Sequence, residues 1–238
     1  MTLNLRYELR ALLGQSPLLF HSLIRLRGRK ASFAVGPKTE VVIEGYPRSG
    51  NTFAAAAFQL AQGREVRIAR HLHVSAQILA AARRRLPTIL LIRHPHDAVL
   101  STVIRHPEWE PHQAVREYTR FYRSCFDLRP HFVLGRFEEV TRDFGSVVER
   151  LNRRFGASFR SFVHSEDNVR RVFAEVERMD REDTGSASVT EATVGRPSDH
   201  RRHLKSELRA RVEGDADLRR RFDEAIDLYH QIVTTIDR

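Results

Sequence analysis

Val41-Val42-Ile43-Glu44-Gly45-Tyr46-Pro47-Arg48-Ser49-Gly50-Asn51-Thr52 carries three kinds of local signal in immediate succession. Val41 to Ile43 is a short β-branched run, the composition of a buried strand. The run gives way at Gly45 to a turn-forming loop. Beyond the loop, Ala54 to Ala57 supply small residues that permit a helix to pack closely on a sheet. A strand, a glycine-bracketed loop and a helix in that order let backbone N–H groups curl around a phosphate, and the helix N-terminus adds partial positive charge.

The same alternation recurs further along. Thr88-Ile89-Leu90-Leu91-Ile92 is a second continuous apolar run followed by a loop and a helix. Phe132-Val133-Leu134-Gly135 is a third, leading to a helix around Val147 to Phe155. Helical patterns also cover Ala76 to Arg84 and Pro111 to Phe126, and segments near His203–Glu213 and Leu218–Ile236. Continuous apolar strands alternating with helices predict an α/β fold, a three-layer parallel sheet flanked on both faces by helices in right-handed crossovers.

The 238 residues suffice for one substantial domain, expected over residues 41–238 and preceded by a segment 1–40. Within residues 1–30, Leu5, Leu9, Leu12 and Leu13 keep a helical period, and a second apolar group precedes Arg25, Arg27, Arg29 and Lys30. This basic amphipathic segment is expected to pack on the domain; the competing use is peripheral contact with an anionic membrane. Around residues 180–200 the composition turns to Thr, Ser, Gly and charge, which predicts a flexible loop of the kind that serves as a lid. Cys125 is the single cysteine, so no intrachain disulfide can form. No run approaches the ~18–20 apolar residues of a spanning helix, and no signal-peptide core precedes a small-residue cleavage site, so a cytoplasmic protein is expected.

A net charge of +10, supplied almost wholly by arginine, calls for an anionic partner. Zinc-finger spacing, a basic zipper and RNP-like aromatic strands are all missing from the sequence, so no specific nucleic acid is expected. A nucleotide suits the first loop better. Gly45 to Thr52 fits G-x-x-x-x-G-K-[ST], except that Asn51 holds the lysine position. A nucleoside-triphosphate enzyme needs that lysine and a downstream aspartate for magnesium. Here the next apolar strand ends in Arg93 instead. Positive charge has moved to Arg48 and Arg93, which suits a metal-free anion site. The alternatives are a small-molecule or nucleotide kinase of related fold, and a nonenzymatic binder of nucleic acid or membrane.

Tyr46-Pro47-Arg48-Ser49-Gly50-Asn51-Thr52-Phe53 resembles the 5′-phosphosulfate loop of sulfotransferases that use 3′-phosphoadenosine 5′-phosphosulfate (PAPS), usually Y-P-K-S-G-T-T-W. Leu91-Ile92-Arg93-His94-Pro95-His96-Asp97-Ala98-Val99-Leu100-Ser101 resembles their 3′-phosphate motif. Val133-Leu134-Gly135-Arg136-Phe137-Glu138-Glu139 is similar to their later strand and acidic turn. The motifs stand in the family's order and span roughly Val41 to Gly156. The resemblance implies a P-loop-like fold and transfer of a sulfuryl group to a hydroxyl or amine acceptor, with adenosine 3′,5′-bisphosphate (PAP) as the product nucleotide and no metal. It implies that Arg48, standing where the family has lysine, contacts the 5′-phosphosulfate, and that Ser49, Gly50, Asn51 and Thr52 offer it donors. Phe53, in place of tryptophan, would stack on adenine, and Arg93 with Ser101 would hold the 3′-phosphate. A basic-glycine loop near the C-terminus of the family matches Gly195-Arg196 weakly, making Arg196 a further nucleotide contact.

Attack on sulfur requires a base for the acceptor's proton. Arg70-His71-Leu72-His73-Val74 lies where many family members carry K-x-H, which makes His73 the base and puts His71 at the lysine position. If the stretch is extended, both histidines share one face. An imidazole's ordinary pKa near ~6.5 suits the task. Glu65 is the reserve base. A His-x-His metal site lacks further ligands at suitable spacing.

Overall fold

The computed structural model describes Ile24, residues 28–184 and residues 199–236. Four parallel strands run β1 (Val41–Gly45), β2 (Ile68–Arg70), β3 (Thr88–Ile92) and β4 (Val133–Arg136), in the spatial order β2-β1-β3-β4. The first two of the three apolar runs therefore take the centre, where both faces of a strand are covered, and the third forms the edge strand β4. Helices connect and cover them: α1 (Asn51–Gln62), α2 (Ser75–Arg83), α3 (Pro95–Arg105), α4 (Pro111–Phe126), the short α5 (Phe137–Val140), α6 (Phe144–Phe155), α7 (Glu166–Thr184), α8 (Asp199–Gly214) and α9 (Ala216–Ile236).

Alternation along the strands builds two cores. Val41, Ile43, Ile89, Leu91 and Val133 face Ala54, Phe58, Val148 and Val172 of α1, α6 and α7. Val42, Leu90, Ile92 and Leu134 face Ile78, Tyr118, Tyr122 and Phe222 of α2, α4 and α9. The expected three layers are thus present. Ala54 to Ala57 are all buried, as their small size foreshadows.

Two features differ from expectation. Strand β2 pairs with β1 from Val41↔Ile68 to Ile43↔Arg70, although Ile68-Ala69-Arg70 has too little apolar content to announce a strand. Helix α7 extends to Thr184 and α8 begins at Asp199, so the expected loop starts later than residue 180; the rest of it lies outside the described residues. Most of the N-terminal segment also lies outside them. Its described part packs on the domain: buried Ile24 and Ala34 with half-buried Phe33 cover Leu72, Val74 and Ala76. Among the described residues no helix is long and apolar enough to cross a membrane.

Gly45 marks the junction of β1 with the first loop, paired with Leu91 of β3. A Cβ there would stand 2.4 Å from the Leu91 carbonyl oxygen, a backbone atom that cannot step aside. Gly45→Ala is expected to destabilise the fold by about 1–3 kcal/mol, read as a lower denaturant midpoint at unchanged slope. An unchanged midpoint would show that the two strands separate freely at this edge.

Candidate active site

Because β1 and β3 lie side by side and end together, their two following loops leave from the same carboxyl edge of the sheet. In the first loop Arg48 takes a left-handed φ of 65° and Gly50 one of 88°, the latter as N-cap of α1. Gly50 has a second constraint, since a Cβ would come 3.3 Å from the Phe137 ring. The first helical bond runs from Ala54 N to Gly50 O, so the N–H groups of Asn51, Thr52 and Phe53 open α1 towards the loop. Asn51 does not stand in for a Walker lysine. It is 4% exposed, and its Nδ2 donates to the Tyr46 carbonyl at 2.9 Å, closing the loop on its own beginning. Ser49 also turns inward, with Oγ 3.3 Å from the Tyr122 hydroxyl and its N–H on the Tyr46 carbonyl. The side chains of these two residues are thus engaged within the protein, Asn51 on the loop itself and Ser49 on Tyr122 of α4.

Helix α4 supports both loops through tyrosines. Tyr122 donates to the Leu91 carbonyl at 2.8 Å and accepts from Tyr46 N at 3.4 Å. Tyr118 donates to the Arg93 carbonyl at 2.8 Å, and Tyr46 donates back to the Ala114 carbonyl at 3.0 Å. Burial pushes all three phenols above their ordinary range, so they persist as donors. Nothing in the sequence spacing distinguishes these residues from core aromatics.

Arg93 reaches across from the second loop. Its Nη1 donates to the Arg48 carbonyl at 3.2 Å, and its guanidinium lies 3.8 Å over the Phe137 ring. Its Nε is buried with no hydrogen-bond partner among the described residues. Burial lowers its pKa, against the opposing pull of Asp97 and Glu138. A buried guanidinium nitrogen without an acceptor is costly, and an incoming anion would relieve it. Ser101 is half-buried on α3, next to buried Thr102, whose Oγ1 is 3.5 Å from the Pro47 carbonyl. On the same helix Asp97 gathers Lys205 at 3.1 Å and Arg209 at 3.5 Å from α8. Burial raises the Asp97 pKa, but Lys205, Arg93 and Arg209 outweigh it and hold the carboxyl low. No local pattern points to Lys205, whose arrival depends on tertiary packing alone.

The histidine stretch is not extended. Strand β2 stops at Arg70, and His71 and His73 adopt φ of 59° and 53°. The two rings still fall on one side, 5.9 Å apart, through two left-handed residues rather than through alternation. Arg70 Nη1 lies 2.7 Å from His71 Nδ1. A guanidinium only donates, so Nδ1 accepts and Nε2 carries the proton towards Thr52 Oγ1 at 3.2 Å. Burial, then Arg70, His73 and Arg105, hold the His71 pKa well below the usual imidazole range. With both nitrogens engaged, His71 is a brace between the turn and Thr52.

His73 is set differently. Its Nδ1 is 2.7 Å from the Gly45 carbonyl and 3.3 Å from Glu44 Oε1, both acceptors. The proton therefore sits on Nδ1, and Nε2 keeps its lone pair. Glu44 is fully buried; its Oε1 accepts from Gly45 N at 3.1 Å and its Oε2 from Leu72 N at 3.0 Å. Sequence reading passed over this carboxylate because its position inside an apolar strand carries no motif.

Arg48, His71 and His73 are three of the four non-glycine residues with positive φ among the described residues. Each such conformation costs on the order of 1–3 kcal/mol, and strain of this kind gathers at functional sites. The remaining candidates stand apart. Phe53 is 9% exposed, its ring packed between Phe162 and Phe173 at 6.5 and 5.8 Å, so core packing takes up the ring meant for adenine. Glu65 is exposed ahead of Ile68, at the amino edge of the sheet, opposite the loops, and is too remote to serve as a base. Arg196 lies outside the described residues. The chain matches no family model and no curated protein.

Proposed function

We propose that this chain is a sulfotransferase of P-loop-like fold that uses PAPS as donor, needs no metal, and has His73 as base. The observation that carries the reading is the junction of the two basic loops. Arg93 is bonded to the backbone of Arg48, and Asn51, at the Walker lysine position, is turned into its own loop. A site of this kind offers fixed cationic donors to two phosphate positions. The donor supplies a sulfuryl group on a phosphate leaving group. As the acceptor oxygen or nitrogen bonds to sulfur, its proton passes to His73 Nε2. The bond from sulfur to the 5′-phosphate oxygen breaks, and its electron pair leaves with the bisphosphate. Arg48 and the α1 N-terminus face the charge that grows on that oxygen. Arg93 and Ser101 hold the 3′-phosphate, whose charge is constant throughout.

PAP is expected to raise the melting temperature strongly, and ATP with magnesium much less. At a ligand concentration one hundredfold above its dissociation constant, linkage gives about 2.7 kcal/mol, a shift that differential scanning fluorimetry resolves. Equal shifts from both nucleotides would favour the kinase alternative. Turnover that survives EDTA would exclude it.

A further inference from the structure

We infer that Glu44 is the positioning residue for the base, a buried carboxylate that presents His73 Nε2 to the acceptor and stabilises the imidazolium formed there. The inference rests on the reading of His73 as base. The carboxylate is fully buried, and taking a carboxylate out of water costs several kcal/mol unless bonds and charges compensate. Two backbone N–H groups, Gly45 and Leu72, satisfy it from opposite sides. Those bonds join the root of the phosphate loop to the turn carrying both histidines. Oxygen Oε1 remains 3.3 Å from His73 Nδ1, beside the 2.7 Å contact of that nitrogen with the Gly45 carbonyl.

The arrangement separates two tasks. The Gly45 carbonyl and Glu44 together keep the proton on Nδ1, so Nε2 is the nitrogen that accepts. When Nε2 takes the acceptor proton, the ring becomes a cation, and the carboxylate beside it is Glu44, 3.3 Å from Nδ1. That attraction strengthens as the charge develops, which makes it catalytic rather than merely structural in effect. The other groups facing the pair are Tyr122 and Cys125 of α4, both neutral because burial raises them, behind Glu44. On the histidine side stand His71, Arg70 and, from α3, Arg105. His71 is neutral in this setting, and the two arginines oppose a further positive charge. Glu44 is the counterweight.

Nitrogen-15 NMR of the ligand-free chain at alkaline pH reads the His73 tautomer directly, whether or not the chain transfers sulfuryl groups. The wild type is expected to carry the proton on Nδ1. Glu44→Gln must set an amide N–H against either Gly45 N or Leu72 N, so the His73 resonances should move to a mixture of tautomers. Turnover should fall between about 10- and 10⁴-fold, the upper figure being the cost of losing the orienting carboxylate in the Ser-His-Asp arrangement. The Michaelis constant for the donor should change little, and Glu44→Asp should recover part of the loss. A wild-type proton on Nε2, or a Glu44→Gln variant with unchanged tautomer and turnover, overturns the inference. If Glu44→Gln does not fold, the wild-type tautomer and Glu44→Asp kinetics decide. A chain with the expected tautomers and no sulfuryl transfer would contradict the proposed function and leave the pairing intact.

Discussion

His73→Ala is expected to lower turnover by on the order of 10²–10⁴-fold and to leave PAP binding nearly intact. The asymmetry follows from the placement of the ring. His73 bonds to the Gly45 carbonyl at the root of the loop, not to Arg48 or Arg93. Its contribution arises only when a proton moves, so its loss falls on the chemical step. Wild-type turnover should rise with pH, because only the neutral ring accepts a proton. His71→Ala should cost less and keep that pH dependence, since both His71 nitrogens are already engaged. His71 should instead register in stability. Its folded pKa is depressed below the ordinary 6.5. Below that pH the unfolded chain binds a proton that the folded chain refuses, so stability is present above it and declines as pH falls. His71→Ala should flatten that acid decline in a thermal-shift series. If instead His71→Ala removes the activity and its pH dependence while His73→Ala is mild, the assignment of the base is reversed.

What the sequence made legible was what local pattern encodes. β1 and β3 are buried on both faces, and continuous apolar runs announce such strands directly. That Arg48 and Arg93 come to one sheet edge was legible because each follows such a strand; the carboxyl edge of a parallel sheet is where loops meet ligands. β2 was not, because three residues drawing their order from pairing with β1 leave no period to detect. Glu44 was hidden for a related reason: a carboxylate in a strand reads as an interruption until its two N–H partners, one residue and 28 residues away, are brought to it. The left-handed turns at His71 and His73 were equally hidden: histidine is enriched at positive φ, but that conformation is uncommon for every non-glycine residue and no local pattern marks it here. Phe53 shows the converse case. Its position in the loop motif suggested a ligand, but α7 and the segment carrying Phe162 claim its ring.

Arg48→Ala and Arg93→Ala should separate catalysis from affinity. Arg48→Ala is expected to cost on the order of 10²–10³-fold in turnover at saturating donor, the range for removing one preorganised donor from developing charge. PAP affinity should change far less, because the loop N–H groups and Arg93 still meet the nucleotide. Arg93→Ala should act the other way. A hydrogen bond to a charged group is worth about 1.5–3 kcal/mol, which converts to a roughly 10- to 150-fold weaker dissociation constant for PAP. Its guanidinium also bonds to the Arg48 backbone and covers Phe137, so some loss of turnover should accompany the loss of affinity. The diagnostic quantity is therefore the ratio of the two effects in each variant, from calorimetric PAP binding and single-turnover rates at saturating donor. Arg48→Lys supplies the control. Lysine is the residue that the resembling family carries at this position, and its ammonium places the same charge on the same backbone, so most of the turnover should return. If both alanine variants weaken PAP binding equally and turn over normally once saturated, neither arginine faces the growing charge. The stabilisation of the leaving phosphate would then fall to the α1 N-terminus alone.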